Sequence, residues 1–364
     1  MMILSMVVAT AIPLVALYLI YQLDLYASRS YQLVIASFVW GGVAVGITLV
    51  LANQLVFGLE LLDTVTLSRY VAPVTEEVVK ALFLFFLVRQ ARFTYFVDGA
   101  IYGFAVGMGF AIIENWLYLS NNPELPTAVG RVISTNLMHA TATAIMGIAL
   151  GQARFERWSG RILWVLFGLV AAIGLHAGFN NLVTRLNGRF LLLYAALSGL
   201  AGLGFIVYMI KRGLAEQKQW IEEKLGAEDR VTAGETAVVH RLAHVYDILT
   251  PLAAQFGPDK AQKIEDFLML QARIGILRKT LDKMKDDKMR QGIQTQIATL
   301  SQQMDDARRE VGPYCMIYLR NIFPEQTSPI WQQLENRIQT RPQASPATNI
   351  WANLSQRTQS PDNG

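Results

Sequence analysis

The 364-residue chain has almost no cysteine, only four histidines and little charge. Its one cysteine, Cys315, excludes a disulfide framework and a cysteine-based zinc site within one chain, and a lone thiol fits a reducing cytosol. Charged residues make up 16% of the sequence, against about 25% in an ordinary soluble domain. The deficit is uneven, with 21 charged residues in the first 211 positions and 39 in the remaining 153. Acidic and basic residues nearly cancel in both parts, at +3 and +1, which sets aside nucleic acid, whose phosphates require clustered Lys and Arg. No phosphate loop, dinucleotide fingerprint or convincing repeat is present, and no serine stands in a nucleophile elbow. Covalent proteolysis is thereby disfavoured.

What is there is apolar sequence, 52% of the chain. A span needs about 20 mainly apolar residues to cross about 30 Å of hydrocarbon, and seven segments qualify or nearly so: 2–21, 31–59, 71–88, 98–119, 132–153, 162–183 and 190–210. The first lacks the basic leader and small-residue cleavage pattern of a secretory signal and reads as a retained transmembrane helix. The third is the weakest, because Glu76, Glu77 and Lys80 leave only residues 81–88 as an uninterrupted apolar run. Short connections predict antiparallel neighbours. Gly99, Gly103 and Gly107, and the pairs Gly147/Gly151 and Gly174/Gly178, carry the spacing of close-packed membrane helices.

Lys and Arg on alternate loops number nine against four, which predicts an outside N-terminus and a cytoplasmic C-terminus. After Arg212 the pattern becomes that of amphipathic helices in water, punctuated by Gly257-Pro258 and Gly312-Pro313. The fold expected is all-α: a polytopic transmembrane bundle of about seven spans over 1–211, a soluble helical domain over 212–340, and a disordered tail over 341–364, rich in Pro, Ser, Gln and Asn.

Ionisable side chains inside a span cost about 2.5–3.5 kcal/mol each on insertion scales, so each is a functional suspect. Here they are Glu76, Glu77, Lys80, Glu114, His139 and His176, with Asn180 as a neutral companion. Counting depth from opposite ends of antiparallel spans, at about 1.5 Å per residue, puts them all about 5–10 Å below the same face. Each also has a structural explanation. Glu76 and Lys80 are spaced as an i,i+4 helix pair, and Thr75 would suit a helix cap. Glu114 would face a loop, and His139, and His176 with Asn180, would make helix–helix hydrogen bonds. Four such accidents at one depth are hard to arrange. His240 and His244 share a helical face, but without a third ligand nearby they are not read as a metal site.

A carboxylate can take a proton from water while His or Asn stabilises the developing oxyanion. The same groups, Glu77, Glu114, His139 and His176, can instead hold a divalent metal such as zinc that acidifies bound water. Spacing does not separate these two chemistries.

The motifs Glu76-Glu77-x-x-Lys80, Phe110-x-x-x-Glu114-Asn115, His139 in MHATATAIMG and His176-x-x-x-Asn180 together resemble the PrsW family of membrane proteases over roughly residues 30–210. That family is distantly related to the CAAX prenyl endopeptidases. The resemblance implies an intramembrane endopeptidase of the bacterial inner membrane that cleaves a membrane-anchored, anti-sigma-factor-like protein at an extracytoplasmic site. By similarity with the CAAX branch it implies that Glu76 activates water with Glu77 supporting it, and that His176 and Asn180 form the oxyanion site. Lys80 stands where that branch has an Arg one residue further on, and Glu114 where it has a His. Both departures match the PrsW branch, and they leave the roles of Glu114 and His139 open.

Two other functions compete: a proton- or metal-coupled transporter, and a non-enzymatic sensor or scaffold. Transport sites gather near the midplane, whereas these groups crowd towards one face, which favours an enzyme. The expected partners are a membrane-anchored protein substrate and the lipid bilayer, with a second copy or a cytoplasmic protein meeting residues 232–322.

Overall fold

The computed structural model describes residues 1–23, 31–54, 63–186, 188–225 and 245–321. Every element among them is helical. The expected tail, His240, His244 and much of the start of the soluble domain lie outside the described residues.

Helix α1 spans Met2–Gln22 and α2 spans Tyr31–Asn53. Helix α3 is compound: one α turn at Thr64–Thr66, a π turn at Leu67–Val71 and a regular α segment at Ala72–Leu87. Asp63 starts it by accepting the backbone N–H groups of Val65 and Thr66, which satisfies two of the donors that a helix start leaves free. Helix α4 spans Phe96–Asn121. Helix α5 runs over Leu125–Ala153, with a π turn at Val132–Asn136. Helix α6 spans Trp158–Val183, and α7 runs from Gly188 to Lys224.

Six helices, α1, α2, α4, α5, α6 and α7, are long and apolar enough to cross a membrane. The seventh expected span, in α3, falls short of that standard because its regular segment has 16 residues and carries Glu76, Glu77 and Lys80. The compositional boundary at residue 211 falls inside α7, which continues without a break.

α4 and α5 form the centre: 94% and 89% of their apolar stretches are buried, against 22–33% for the other four candidate spans. Glycine makes that contact possible. A Cβ on Gly103 would lie 2.4 Å from the Thr143 carbonyl oxygen, and one on Gly107 would lie 2.5 Å from the His139 carbonyl oxygen. Any larger residue would therefore push the two backbones apart. Gly174 and Gly178, expected to work in the same way, have nothing within reach of an added Cβ. They lie on the open side of α6, so their spacing makes no helix seam among the described residues.

The outer helices expose a belt of large apolar side chains, including Leu163, Phe167, Val170 and Tyr208. A belt that wide would be a liability in water and is what a lipid-facing surface requires.

The C-terminal part adds α8 (Val245–Phe256), α9 (Pro258–Lys283), α10 (Asp287–Val311) and α11 (Pro313–Asn321). Gly257 and Gly312 take φ of +89° and +87° at the two expected breaks, a backbone region that favours glycine. Helix α9 packs its buried face, including Ile274, Ile276 and Leu277, into the same core as Trp220, Ile221 and Leu225 of α7. The helical domain is thus seated against the extension of the last membrane helix.

Candidate functional site

The chemistry gathers where α3, α4, α5 and α6 meet. Helix α3 delivers Glu76, Glu77 and Lys80 from successive turns, and the i,i+3 and i,i+4 spacing aims both carboxylates at the Lys80 ammonium. Nζ lies 2.9 Å from Glu77 Oε1 and 3.5 Å from Glu76 Oε2. Lys80 is fully buried, and an ammonium without water is tolerated only with such partners. Two more contacts hold it: Nζ lies 2.8 Å from His139 Nδ1 and 3.7 Å from the centre of the Phe110 ring.

These contacts fix the imidazole tautomers. An ammonium has only hydrogens to offer, so His139 Nδ1 presents its lone pair to Lys80. The ring hydrogen is then on Nε2, which donates to Glu114 Oε2 at 3.1 Å. Glu114 is held from its other side by Arg131, whose Nη2 donates at 3.0 Å. Arg131 Nε donates to Asn115 Oδ1 at 2.6 Å, and Asn115 Nδ2 donates to Asn136 Oδ1 at 2.5 Å. Glu114, at 35% exposed, is the most open of the cluster's carboxylates; Glu76 and Glu77 stand at 15% and 1%.

His176 comes from α6. Its Nδ1–H donates to Glu77 Oε1 at 3.0 Å, and Thr143 Oγ1 donates to Glu77 Oε2 at 3.2 Å. Glu77 is therefore fully engaged as an orienting group. His176 Nε2 keeps its lone pair and lies 3.9 Å from Glu76 Oε2. That oxygen is buried, accepts no hydrogen bond and has the Lys80 ammonium at 3.5 Å, so it keeps acceptor capacity for a ligand. The His139 and His176 rings meet edge to face at 4.6 Å between centres.

Glu76, Glu77, Glu114, His139 and His176 thus form one connected cluster. Asn180 does not join it: its Nδ2 donates to the Ser68 carbonyl oxygen at 2.9 Å, tying α6 to the π turn of α3. Sequence reasoning left three members out of the site. Lys80 was visible as a buried cation with no assigned task. Thr143, one turn after His139, carries no charge to mark it in the sequence. Arg131 counts in the sequence as a loop charge, and nothing in the 16 residues between it and Glu114 announces their meeting.

Glu76, His139 and His176 each offer one ligand atom, all within 4.8 Å of one another. This trio differs from the set anticipated from sequence, because Glu77 is turned to His176, Lys80 and Thr143, and Glu114 to His139 and Arg131. Two imidazoles and one carboxylate are a donor set that holds zinc in catalytic sites. Glu76 Oε2, which accepts no hydrogen bond, and the lone pair of His176 Nε2 suit a divalent ion, with Glu77 behind His176 as the carboxylate that sets ring orientation. The third ligand is contested, since both His139 ring nitrogens are engaged, Nδ1 by Lys80 and Nε2 by Glu114.

Carboxylates and imidazoles sunk together inside a lipid-facing bundle are the equipment of a membrane-embedded hydrolase. Residues 29–213, just over half of the chain, match the family model described as PrsW family intramembrane metalloprotease, and the chain belongs to that family. It is similar to Protease PrsW of Halalkalibacterium halodurans, with 30% identity over 193 residues, covering 51% of this chain and 87% of the relative. Protease PrsW of Shouchella clausii is 28% identical over 186 residues, covering 50% and 84% respectively. Protease PrsW of Bacillus subtilis is 36% identical over 98 residues, which cover 27% of this chain and 44% of the relative. No solved structure matches the chain significantly. Family membership makes the protein a multi-pass bacterial membrane protease, and the resemblance read from the four motifs is to the same family.

Proposed function

We propose that the protein is an intramembrane endopeptidase that hydrolyses a peptide bond in a membrane-anchored protein, an anti-sigma-factor-like substrate by family resemblance. The observation that carries this reading is the buried Glu76 Oε2, which accepts no hydrogen bond and lies beside two imidazoles in a membrane bundle. A divalent ion such as zinc, held by Glu76, His139 and His176, would supply a Lewis acid that lowers the pKa of water.

The protein's own groups do the rest. Glu77 fixes the His176 ring through Nδ1 and leaves Nε2 directed at the cluster. Glu114, the most exposed of the cluster's carboxylates, takes the proton of the attacking water and returns it to the leaving amine. Arg131 holds that carboxylate steady between the two transfers. The buried walls of α4 and α5 exclude bulk water, so each of these interactions acts at low dielectric.

One observation favours a second version without a metal: Lys80 already occupies the His139 lone pair. In that version Glu76 is itself the base and His176 stabilises the oxyanion. Chelation decides between them. Purified protein reconstituted with single-pass membrane proteins, stripped with a chelator and then given zinc, should lose cleavage and regain it on add-back. Full activity after complete metal removal would leave the Glu76-base version standing.

The basic loops between α3 and α4 and between α5 and α6, and the basic stretch after the last span, favour a cytoplasmic helical domain. The catalytic layer then faces the extracytoplasmic side, where a substrate's juxtamembrane segment would meet it.

A further inference from the structure

At the end of the bundle away from the catalytic cluster lies a cavity of about 310 Å³, bounded by the last turn of α3, the end of α5, the start of α6 and Met289 of α10. Its walls differ along their depth. Val165 and Leu166 are seven and eight residues into α6, about 10–12 Å below its start, and with Phe85 and Leu150 they form an apolar wall. Arg89 follows the end of α3, Arg154 follows the end of α5, and Arg161 sits in the first turn of α6. The three arginines therefore line one end of an apolar slot, with Arg161 Nε donating to the Glu156 carbonyl oxygen at 2.9 Å.

Arg154 is 3% exposed, and its Nη1 donates to the carbonyl oxygens of Val88 at 2.7 Å and Gln90 at 2.9 Å. Its Nε is buried without a partner, which costs free energy unless something accepts from it. Arg89 is exposed and makes no ion pair among the described residues. Three acids lie near these arginines and all are engaged; the buried Asp98, which interacts with Arg154, accepts from the backbone N–H groups of Thr94 and Tyr95. Glu156 takes Lys285 at 3.0 Å, and Asp286 accepts from Met289 N at 3.0 Å and lies 3.4 Å from Arg161. Arg92 and Arg157, in the same two connections, add to the excess of positive charge. Trp158 stands at the rim, 77% exposed, as aromatic residues do at a membrane interface.

We propose that this cavity binds one anionic glycerophospholipid, with an acyl chain along the apolar wall and the phosphate against Arg89, Arg154 and Arg161. The proposal rests on the bundle spanning a membrane and not on the protease chemistry. An apolar slot capped by arginines between helices complements such a lipid in both charge and polarity. A zwitterionic lipid offers the same chain but cancels the charge. The lipid would touch the end of the helix that carries Glu76 and Glu77, and also Met289 of the helical domain, linking the two parts of the chain.

The test is native mass spectrometry of the delipidated full-length protein in detergent, titrated with phosphatidylglycerol or with phosphatidylcholine of the same chains. Wild type should take up one saturable phosphatidylglycerol with a preference of about tenfold or more. Arg89→Gln with Arg161→Gln should cut that preference to about threefold or less, since two head-group contacts are removed. Val165→Trp fills the slot without altering any charge and should abolish the saturable adduct, so the proposal stays testable if the double variant does not fold. Equal binding of the two lipids to wild type, or an unchanged preference in the double variant, would overturn it. So would displacement of the lipid by inorganic phosphate alone, which would make this a free-anion site. Cleavage is not the readout, so failure here leaves the protease reading intact.

Discussion

The Lys80 ammonium holds together groups from three helices, and its removal is the most damaging single change open to the site. Lys80→Met would leave His139 Nδ1 without a donor and the Glu77 and Glu76 carboxylates without their counter-charge in a dry interior. Breaking a buried ionic arrangement by removing one partner costs about 3–5 kcal/mol, so thermal unfolding in detergent should fall sharply. Adding Glu77→Gln should recover part of that loss, because the stranded charge goes with it. An additive double variant would show that the two side chains do not interact. Glu76, Glu77, Glu114, His139 and His176 were legible in the sequence because ionisable groups stand out against apolar neighbours. Arg131 was not, since an arginine near a helix end looks like any interfacial charge until folding brings it back over Glu114.

At the level of elements, the cluster depends on how closely α4 and α5 approach. Gly107 lies against the His139 carbonyl oxygen itself, so the glycine contact and the catalytic imidazole are one structural feature. Gly107→Val should separate the helices, pull His139 from Glu114 and Lys80, and lower cleavage by about two orders of magnitude or more. Assay of purified, monodisperse protein checks this, and wild-type activity would mean that the seam does not set the geometry. Both helices that supply the central groups carry a π turn just before them, at Leu67–Val71 ahead of Glu76 and at Val132–Asn136 ahead of His139. Such turns recur at functional sites, and each shifts the register of the side chains that follow. Hydrophobic length revealed the long helices, but a π turn leaves no mark in apolar periodicity. The misassigned Gly174/Gly178 seam has a related cause: spacing identifies a small-residue stripe without saying whether a partner covers it.

On the scale of the whole molecule, the bundle and the helical domain meet through α7 and through the Glu156–Lys285 and Arg161–Asp286 pairs, away from the catalytic cluster. Among the described residues, the hydrogen bonds and ion pairs of the cluster come only from α3 to α6. Deleting the residues after Glu228 should therefore leave cleavage measurable in detergent while lowering thermal stability, because the α7–α9 packing is lost. Complete loss of cleavage by a folded truncation would bring the domain into the catalytic unit. The change in composition at residue 211 exposed the two parts of the chain, but the single helix that joins them was not legible, since its amphipathic extension continues the same helical phase.

The central claim is that Glu76 sits at the heart of a peptide-cleaving centre, and mapping the N-termini of membrane proteins tests it most directly. Bacteria expressing wild type or Glu76→Gln at equal levels would be compared. Glutamine keeps the size of the side chain but removes the charge that would hold a metal in one version and the basicity that would activate water in the other, and since Lys80 keeps its 2.9 Å contact to Glu77, the variant should remain folded. Cleavage should fall by about two to four orders of magnitude. The account predicts new N-termini at the extracytoplasmic end of a transmembrane segment in wild-type cells, absent from Glu76→Gln cells. The same termini at the same abundance in both would contradict it.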